Sequence, residues 1–255
     1  MSGPAGTVGA LWRHPVKSMQ GERIDSGRLD AAGLAFDRRW GVVDDETGKV
    51  LSAKREGRLL EAAARLAGEA PEIRLPDGEW TGLADPSLDG ALSEWLGRAV
   101  HVRAAASVDS PGYQMNVDAT DDNSPIVDFP CPPGTFFDAL PVHLLTTASL
   151  RAMGPHHPDG EWDVRRFRPT VLVDTGGDDF PEDGWIGSRV RVGGAELTVV
   201  APTVRCVMTT RAQPGLLRDL EIVKAVNRDH ESNLGVYAVV SDPGPVAVGD
   251  PVAVV

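Results

Sequence analysis

Short apolar stretches separated by turn residues dominate the chain. In several of them apolar and polar residues alternate with a period of two, which is typical of a strand with one buried face. Glycine (28 residues) and proline (20 residues) are spread along the whole sequence, which favours many short strands joined by turns over a helical bundle. Strands are predicted at residues 8–12, 24–29, 40–43, 50–53, 72–75, 80–83, 99–104, 171–174, 189–192, 195–201, 234–240 and 246–255.

Three turn motifs predict β-hairpins between neighbouring strands. They are Asp-Glu-Thr-Gly at 45–48, Pro-Asp-Gly at 76–78 and Gly-Gly at 193–194. Such residues adopt the backbone conformations that tight turns require. Each motif lies between two predicted strands, so we expect those strands to pair.

Helical periodicity is clearest at residues 86–96, where apolar residues recur on one face. Asp85 is the predicted N-cap, and Gly97 is predicted to end the helix. Further helices are predicted at 143–153 and 216–228, residues 59–66 fit either a strand or a helix, and 107–134 are predicted to form a loop at a domain seam.

The composition narrows the class of protein. With 255 residues, 42% hydrophobic and 24% charged, the chain suits two modest globular domains or one large β-rich domain. The net charge of −12 argues against binding nucleic acids or anionic membranes. Two distant cysteines give neither a disulfide framework nor a CxxC site. No apolar run approaches the ~18 residues of a membrane span, and no signal peptide pattern is present, so we expect a cytoplasmic protein.

Residues 202–210 form the segment with the strongest candidates for a reactive or metal-binding site, and Cys206 lies at its centre. Arg205 precedes it, and the hydroxyls of Thr209 and Thr210 follow within four residues. A cation beside a cysteine favours the thiolate, which acts as a nucleophile or a metal ligand. Thiolate is a soft ligand that suits transition metals rather than Mg²⁺ or Ca²⁺. Taken alone, a cysteine among valine and methionine also fits a small buried side chain.

Three cationic segments are candidate anion sites. Lys17 and Ser18 lie in a loop ending at Gly21 and could hold a phosphate or form a solvated turn. Arg38 either points into an anion site, covers the sheet or pairs with Asp37. Arg168 is the last residue of a run with three arginines in four residues. This run is equally consistent with a group of guanidiniums that binds an anion and with an exposed basic turn.

The order of these motifs resembles the MOSC family. The motifs are His-Pro-Val-Lys-Ser at 14–18, Asp-Arg-Arg-Trp at 37–40, Arg-Pro at 168–169, Arg-Cys with two following threonines at 205–210, and a Pro-Gly…Val-Gly-Asp-Pro-Val ending at 243–252. The chain is similar over nearly its whole length to the subgroup with an additional N-terminal β-barrel region, which includes the amidoxime-reducing proteins and their bacterial relatives.

This resemblance implies an α+β fold rich in β-barrel. Residues 1–105 are expected to form the smaller N-terminal barrel-like domain and residues 106–255 the MOSC domain, with the site in the cleft between them. Such a placement would explain why the candidate anion-binding residues come from distant parts of the chain.

The resemblance also implies a molybdenum cofactor, in which a pyranopterin dithiolene with a phosphate holds the metal. Cys206 matches the family's molybdenum ligand and is the expected catalytic residue. Thr170 stands where the amidoxime reducers often have asparagine. The residues expected to bind the cofactor are Lys17, Ser18, Arg38, Arg168, Thr170, Arg205, Thr209 and Thr210.

The implied activity is the reduction of N-hydroxylated small molecules by two-electron transfer. The chain has no cysteine motif for an iron–sulfur cluster, so electrons are expected from a separate donor such as a ferredoxin or a flavin reductase. Two alternatives stay open, a non-redox carrier of the cofactor and a sulfur carrier with a persulfide on Cys206. Pyridoxal phosphate binding is a further property associated with the family, although the chain has no pyridoxal-dependent sulfurase domain.

Overall fold

Short strands make up most of the structure, a computed structural model that describes residues 3–118 and 123–255. The strands are β1 Gly3–Arg13, β2 Glu22–Ile24, β3 Ser26–Asp30, β4 Gly33–Leu34, β5 Trp40–Asp44, β6 Ala63–Ala67, β7 Ala70–Arg74, β8 Thr81–Gly82, β9 Val100–Ala104, β10 Gly112–Asn116, β11 Ile126–Pro130, β12 Val142–Thr146, β13 Val171–Asp174, β14 Arg189–Val192, β15 Ala195–Val204, β16 Asn233–Asp242, β17 Gly244–Ala247 and β18 Pro251–Val254. The α-helices are α1 Leu88–Leu96, α2 Thr147–Met153 and α3 Glu221–Asp229, and short 3₁₀ helices lie at Gly57–Glu61, Ala105–Ser107, Gly154–His156, Val164–Arg166, Pro181–Trp185 and Val207–Thr210.

A closed barrel of seven strands forms the larger part of the fold. Its order is β13-β12-β16-β15-β14-β18-β1, and β1 pairs back onto β13. Neighbouring strands are antiparallel except for the parallel pair β12–β13. The predicted Gly-Gly hairpin is confirmed as β14–β15. Its buried valines and leucine alternate with polar residues and fill the barrel interior.

Both ends of the chain contribute to the same sheets. The first strand, β1, pairs with β13 and β18 and so closes the barrel. Near the other end, β17 pairs with β3, which continues to β4. The domain boundary between residues 105 and 106 stays a prediction.

A second core lies among the elements that follow β1. Helix α1 packs its buried leucines into this core beside β5 and β9, which pair with each other. Gly97 ends α1 in the left-handed conformation, as predicted, but Ser87 rather than Asp85 occupies the N-cap. Asp85 instead accepts a hydrogen bond from the Ser87 amide at 2.9 Å and holds the preceding turn.

The smaller sheets complete the region. Strands β6, β7 and β8 form one sheet, and β7–β8 is the hairpin predicted around the Pro-Asp-Gly turn. The ambiguous residues 59–66 divide between a 3₁₀ helix and the start of β6. Residues 50–53 do not form the predicted strand, because Val50 makes only isolated bridges to Val43 and Tyr113. None of the described helices has the length and apolar composition needed to cross a membrane.

Three sequence predictions are corrected by the structure. Residues 142–146 form strand β12 rather than the start of a helix, because all five side chains are buried between β13 and β16. The expected loop at 107–134 contains the ribbon β10–β11. The third predicted helix begins only at Glu221, since residues 213–216 make a tight bridge.

Candidate active site

A cavity of about 370 Å³ lies where the ends of β12, β15 and β16 meet loops from the first half of the chain. Ribbon β10–β11 contributes Tyr113 and Met115 to one wall, and the segment after β15 contributes Cys206 to another. Predicted site residues that line the cavity are Lys17, Ser18, Arg38, Arg168, Thr170, Arg205 and Cys206.

Cys206 follows the end of β15 in an extended conformation, and its side chain is partly exposed to the cavity. A 3₁₀ turn comes next and fixes the Cys206 backbone. The Thr209 hydroxyl donates to the Cys206 carbonyl at 3.0 Å, and the Thr210 hydroxyl donates to the Val207 carbonyl at 2.7 Å. Thr209 and Thr210 are fully buried and do not line the cavity, so they shape the turn that presents the thiol.

Arg205 is a partly buried cation beside Cys206. Its Nη2 donates to the Phe167 carbonyl at 2.8 Å, and its Nη1 donates to the Leu234 carbonyl at 3.4 Å. Its Nε atom is buried and has no hydrogen-bond partner within the described part of the chain. Burial lowers the pKa of Arg205. A buried donor atom without a partner is unfavourable for folding and is characteristic of a binding site.

Arg38 and Arg168 bring two guanidinium groups to the opposite wall. Both residues have left-handed backbones, with φ of 49° and 52°. Arg38 pairs with the buried Asp37 and donates to the Arg168 carbonyl at 3.3 Å. Arg168 donates from Nη1 to the Met19 carbonyl at 2.8 Å, while its Nη2 has no partner among residues 3–118 and 123–255. Burial, followed by repulsion from Arg38, lowers the pKa of Arg168 to about 9.

Two lysines share one carboxylate on a third wall, and we call this group the Lys17–Asp138–Lys54 cluster. Lys17 donates to the Phe136 carbonyl at 2.7 Å and pairs with Asp138. Lys54 Nζ lies 3.1 Å from the second oxygen of Asp138. Burial acts to raise the pKa of Asp138, but the two lysines outweigh it and the pKa falls. Burial lowers the pKa of Lys17, whereas Asp138 outweighs burial and raises the pKa of Lys54. Asp138 therefore stays ionised between the two lysines.

Ser18 and Thr170 support the cavity wall through their hydroxyl groups. Ser18 Oγ accepts a hydrogen bond from the Ala53 amide at 2.9 Å. Thr170 Oγ1 accepts one from the His143 amide at 3.3 Å. Burial, and then the nearby Arg205, lowers the pKa of His143 well below its ordinary value, so this imidazole is neutral.

The structure adds residues that the sequence patterns did not identify. Lys54, Tyr113, Asp138, His143 and Tyr237 all line the cavity. Their contacts join distant parts of the chain, such as Lys54 and Tyr113 at a separation of 59 residues. A lysine directly after the apolar residues 50–53 is the one local signal that could have suggested Lys54.

The arginine run divides between two roles. Arg166 and Arg168 line the cavity, whereas Arg165 pairs with Asp163 at 2.8 Å. Arg166 donates to the carbonyls of Thr209 and Leu217 at 3.3 and 2.9 Å. It therefore ties the turn after Cys206 to the loop that follows.

The cavity carries a charge opposite to that of the protein. Among residues 3–118 and 123–255, six cationic side chains and one carboxylate line it, in a chain with a net charge of −12. The lining cations are Lys17, Lys54, Arg38, Arg166, Arg168 and Arg205. Such a concentration of guanidinium and ammonium groups suits a multiply charged anion placed beside a thiol.

Comparisons with known proteins agree with the fold. Residues 5–89 match the MOSC N-terminal beta barrel domain, and residues 133–253 match the MOSC domain. The crystal structure of the YUAD protein from Bacillus subtilis superposes with a TM-score of 0.52 and 14% identity, covering 100% of this chain and 98% of that one. At this identity the similarity supports the fold alone.

Two human proteins are similar over most of their length. Mitochondrial amidoxime-reducing component 1 from Homo sapiens is 25% identical over 292 residues, covering 97% of this chain and 82% of the relative. Mitochondrial amidoxime reducing component 2 from Homo sapiens is 26% identical over 292 residues, covering 97% and 83%.

Proposed function

Because the chain belongs to the MOSC family and joins the MOSC N-terminal beta barrel domain to the MOSC domain, we propose that it binds a molybdenum cofactor and reduces N-hydroxylated small molecules. The names of the human relatives describe amidoxime-reducing components, which supports this class of reaction. The observation that carries the proposal is the convergence of Cys206 with cations from distant segments on one cavity.

The cavity residues fit an anionic pterin cofactor. Arg168 Nη2 and Arg205 Nε are buried donors without partners among the described residues, and a phosphate or a pterin carbonyl would satisfy such donors. Within the same residues, histidine, cysteine and carboxylate side chains form no group of three or more that could hold a metal ion. Cys206 would therefore serve as a single thiolate ligand to a metal that the pterin also holds.

We assign a separate role to each group of residues around the cavity. Cys206 would bind the metal, and Arg38 and Arg168 would bind the phosphate. Lys17 shares the Asp138 carboxylate with Lys54, and it would contact the cofactor from this wall of the cavity. Ser18 and Thr170 would add hydroxyl contacts, while Thr209 and Thr210 would hold the turn that orients the thiol.

The bound cofactor would supply two-electron reduction, with electrons delivered by a separate donor such as a ferredoxin or a flavin reductase. The chain would orient the substrate beside Cys206, and aromatic side chains such as Phe136 and Phe137 line the same cavity and would pack against a bound molecule. The cytoplasmic location and pyridoxal phosphate binding stay predictions.

The test compares wild type with Cys206→Ser after reconstitution with molybdenum cofactor. We expect molybdenum and pterin to be retained by wild type and by the control Cys131→Ser, which replaces the other cysteine, whereas Cys206→Ser loses most of the metal. Loaded wild type should then convert an aromatic amidoxime to the amidine with a reduced viologen dye as donor.

The alternatives give different results in the same experiment. Retention of the cofactor without turnover would favour a cofactor carrier. A partly exposed thiol at position 206 could also carry sulfur, and sulfane sulfur on Cys206 without bound molybdenum would favour that role. Equal metal content in wild type and Cys206→Ser would contradict the ligand assignment.

A further inference from the structure

Tyr113 lines the cavity but has no role in the proposal above, and it pairs with Lys54 of the Lys17–Asp138–Lys54 cluster. Lys54 Nζ lies 3.1 Å from the Tyr113 hydroxyl oxygen. An ammonium group has donors but no acceptor, so the phenol oxygen accepts this hydrogen bond. Within residues 3–118 and 123–255 the phenol proton has no acceptor. Tyr113 therefore presents a free O–H donor on a wall of the cavity.

Lys54 links this phenol to the thiol. Burial acts to lower the pKa of Lys54, but the charges of Asp138 and then Cys206, with a hydrogen bond to Tyr113, raise it. The Lys54 ammonium is thus fixed between the Asp138 carboxylate at 3.1 Å and the phenol, within electrostatic reach of Cys206. Cys206 and Tyr113 line the same cavity, so a substrate that fills the cavity would face both side chains.

We propose that Tyr113 is a further catalytic residue that donates a proton to the substrate oxygen as the N–O bond breaks, and that Lys54 is a positioning residue for it. This inference rests on the proposed function. The overall reaction is R–NH–OH + 2 e⁻ + 2 H⁺ → R–NH₂ + H₂O, with both electrons supplied by the separate donor. One proton comes from Tyr113 and the other from solvent. The phenolate is stabilised by the Lys54 ammonium and takes a proton back from water.

The electrostatic surroundings keep the phenol protonated at neutral pH. Burial raises the pKa of Tyr113, Asp138 raises it further, and Lys54 lowers it. The other groups that face the ring are Lys17, whose Nζ lies 4.5 Å from the ring centroid, and Cys131. Activity that requires the phenol proton falls as the pH rises through the pKa of Tyr113. Removing the Lys54 cation raises that pKa. The basic limb of the pH–activity profile, where activity falls with rising pH, therefore moves to higher pH.

The experiment uses cofactor-loaded protein with an aromatic amidoxime and a reduced viologen dye. Molybdenum content is measured first and should equal that of wild type in Tyr113→Phe. Because Lys54 is also one of the cations that line the cavity, rates of Lys54→Met are given per bound molybdenum. For Tyr113→Phe we expect kcat to fall by about 100-fold, the lower end of general acid effects, with KM changed less than about threefold. For Lys54→Met we expect a fall of about tenfold and a basic limb at higher pH.

Lys49→Met is the matched control. Lys49 pairs with Asp128 on the outer strand of the same ribbon at 3.0 Å and lies outside the cavity. This variant should keep the wild-type pH profile, because it removes a lysine next to the ribbon without changing the surroundings of the phenol.

A spectroscopic measurement tests the pair without turnover. The chain has two tyrosines, so ¹³C labelling at the tyrosine Cζ gives two signals, and Tyr113→Phe assigns them. We expect the Tyr113 signal to shift when the amidoxime is added and to titrate at higher pH in Lys54→Met.

Wild-type kcat and an unchanged basic limb in metal-loaded Tyr113→Phe would overturn the role of Tyr113. An insensitive Tyr113 signal, or a basic limb that does not move in Lys54→Met, would overturn it equally. Loaded wild type that reduces no amidoxime would refute the proposed function, and this role with it, before any variant is compared.

Discussion

At the scale of single residues, the cavity combines groups that are unfavourable for folding. Arg168 is buried, has a cationic neighbour in Arg38, and keeps one nitrogen without a partner among the described residues. Burial and repulsion from Arg38 both penalise the charge of Arg168 in the folded protein. The position of Arg168 is thus better explained by binding than by stability.

Arg168→Met separates binding from stability at this position. We expect the cofactor-free variant to have a melting temperature equal to or higher than that of wild type. Its unfolding free energy should exceed that of wild type by at most about 3 kcal/mol. Inorganic phosphate should raise the melting temperature of wild type more than that of the variant. Differential scanning calorimetry with and without phosphate measures both effects. A large destabilisation, with the phosphate response unchanged, would show that Arg168 is structural.

Asp138 gives a prediction with a defined pH dependence. Burial acts to raise its pKa, but Lys17 and Lys54 lower it in the folded protein. The stability that Asp138 contributes is therefore present above the unfolded pKa and is lost as the pH falls toward the folded pKa. We expect Asp138→Asn to lower the free energy of unfolding by about 2 kcal/mol at pH 7. This value lies between those typical of surface ion pairs and of buried ion pairs.

Urea unfolding at several pH values measures this loss. The difference between wild type and Asp138→Asn should be constant near neutrality and shrink below about pH 4, where aspartate protonates in the unfolded chain. A difference that grows on acidification would contradict the assignment of Asp138 as a charged counter-ion.

At the scale of elements, the cavity depends on how closely β12 and β16 approach. Gly235 on β16 has φ of +81°, and a Cβ there would lie 2.4 Å from His143 Nε2 and 2.7 Å from the Leu144 carbonyl. Neither strand can yield without disturbing the barrel, because β12 also pairs with β13. The glycine is what allows His143 to reach the cavity.

Gly235→Ala should therefore destabilise the protein by about 3 kcal/mol, from the left-handed backbone together with the steric overlap. Gly48→Ala is the matched control, because Gly48 has φ of +66° but a Cβ there would meet no described atom within 4 Å. Gly48→Ala should lower the free energy of unfolding by about 1 kcal/mol, which is the cost of a left-handed backbone for alanine. Equal losses in urea unfolding would contradict the proposed close approach.

Helices and hairpins were predicted correctly where a short sequence motif determines the backbone conformation. Gly97 ends a helix and the Gly-Gly pair makes a hairpin because both need only short-range backbone geometry. Residues 143–146 were predicted as the start of a helix because Leu144 and Leu145 join the apolar residues that follow them. In the structure both faces of this strand are buried, so its side chains show no alternation. Ribbon β10–β11 was missed because β11 is largely exposed and lacks apolar alternation.

At the scale of the whole molecule, chain order and spatial order differ. Cys206, Lys17, Arg38, Arg168 and Arg205 were identified by the order of their motifs. The partners of Lys17 were not, since Asp138 lies 121 positions from Lys17 and Lys54 lies in no such motif. Barrel closure by β1 and β13 depends likewise on long-range pairing that leaves no local pattern.

This interleaving predicts cooperative unfolding of the two halves. Strand β1 closes the barrel, and β17 completes the sheet of β3 and β4, so neither half can unfold without breaking the sheets of the other. Hydrogen exchange in increasing urea, followed by mass spectrometry, should give the same midpoint for amides in β5, which packs in the second core, and in β16, which packs in the barrel core. Two midpoints separated by more than the error would indicate independent domains.

The central claim is that Cys206 is a ligand to molybdenum. X-ray absorption at the molybdenum edge counts the sulfur neighbours of the metal in cofactor-loaded wild type and in whatever metal-containing fraction of Cys206→Ser can be prepared. We expect one sulfur neighbour fewer in the variant, because serine replaces the thiolate. The same number of sulfur neighbours in both proteins would contradict the claim.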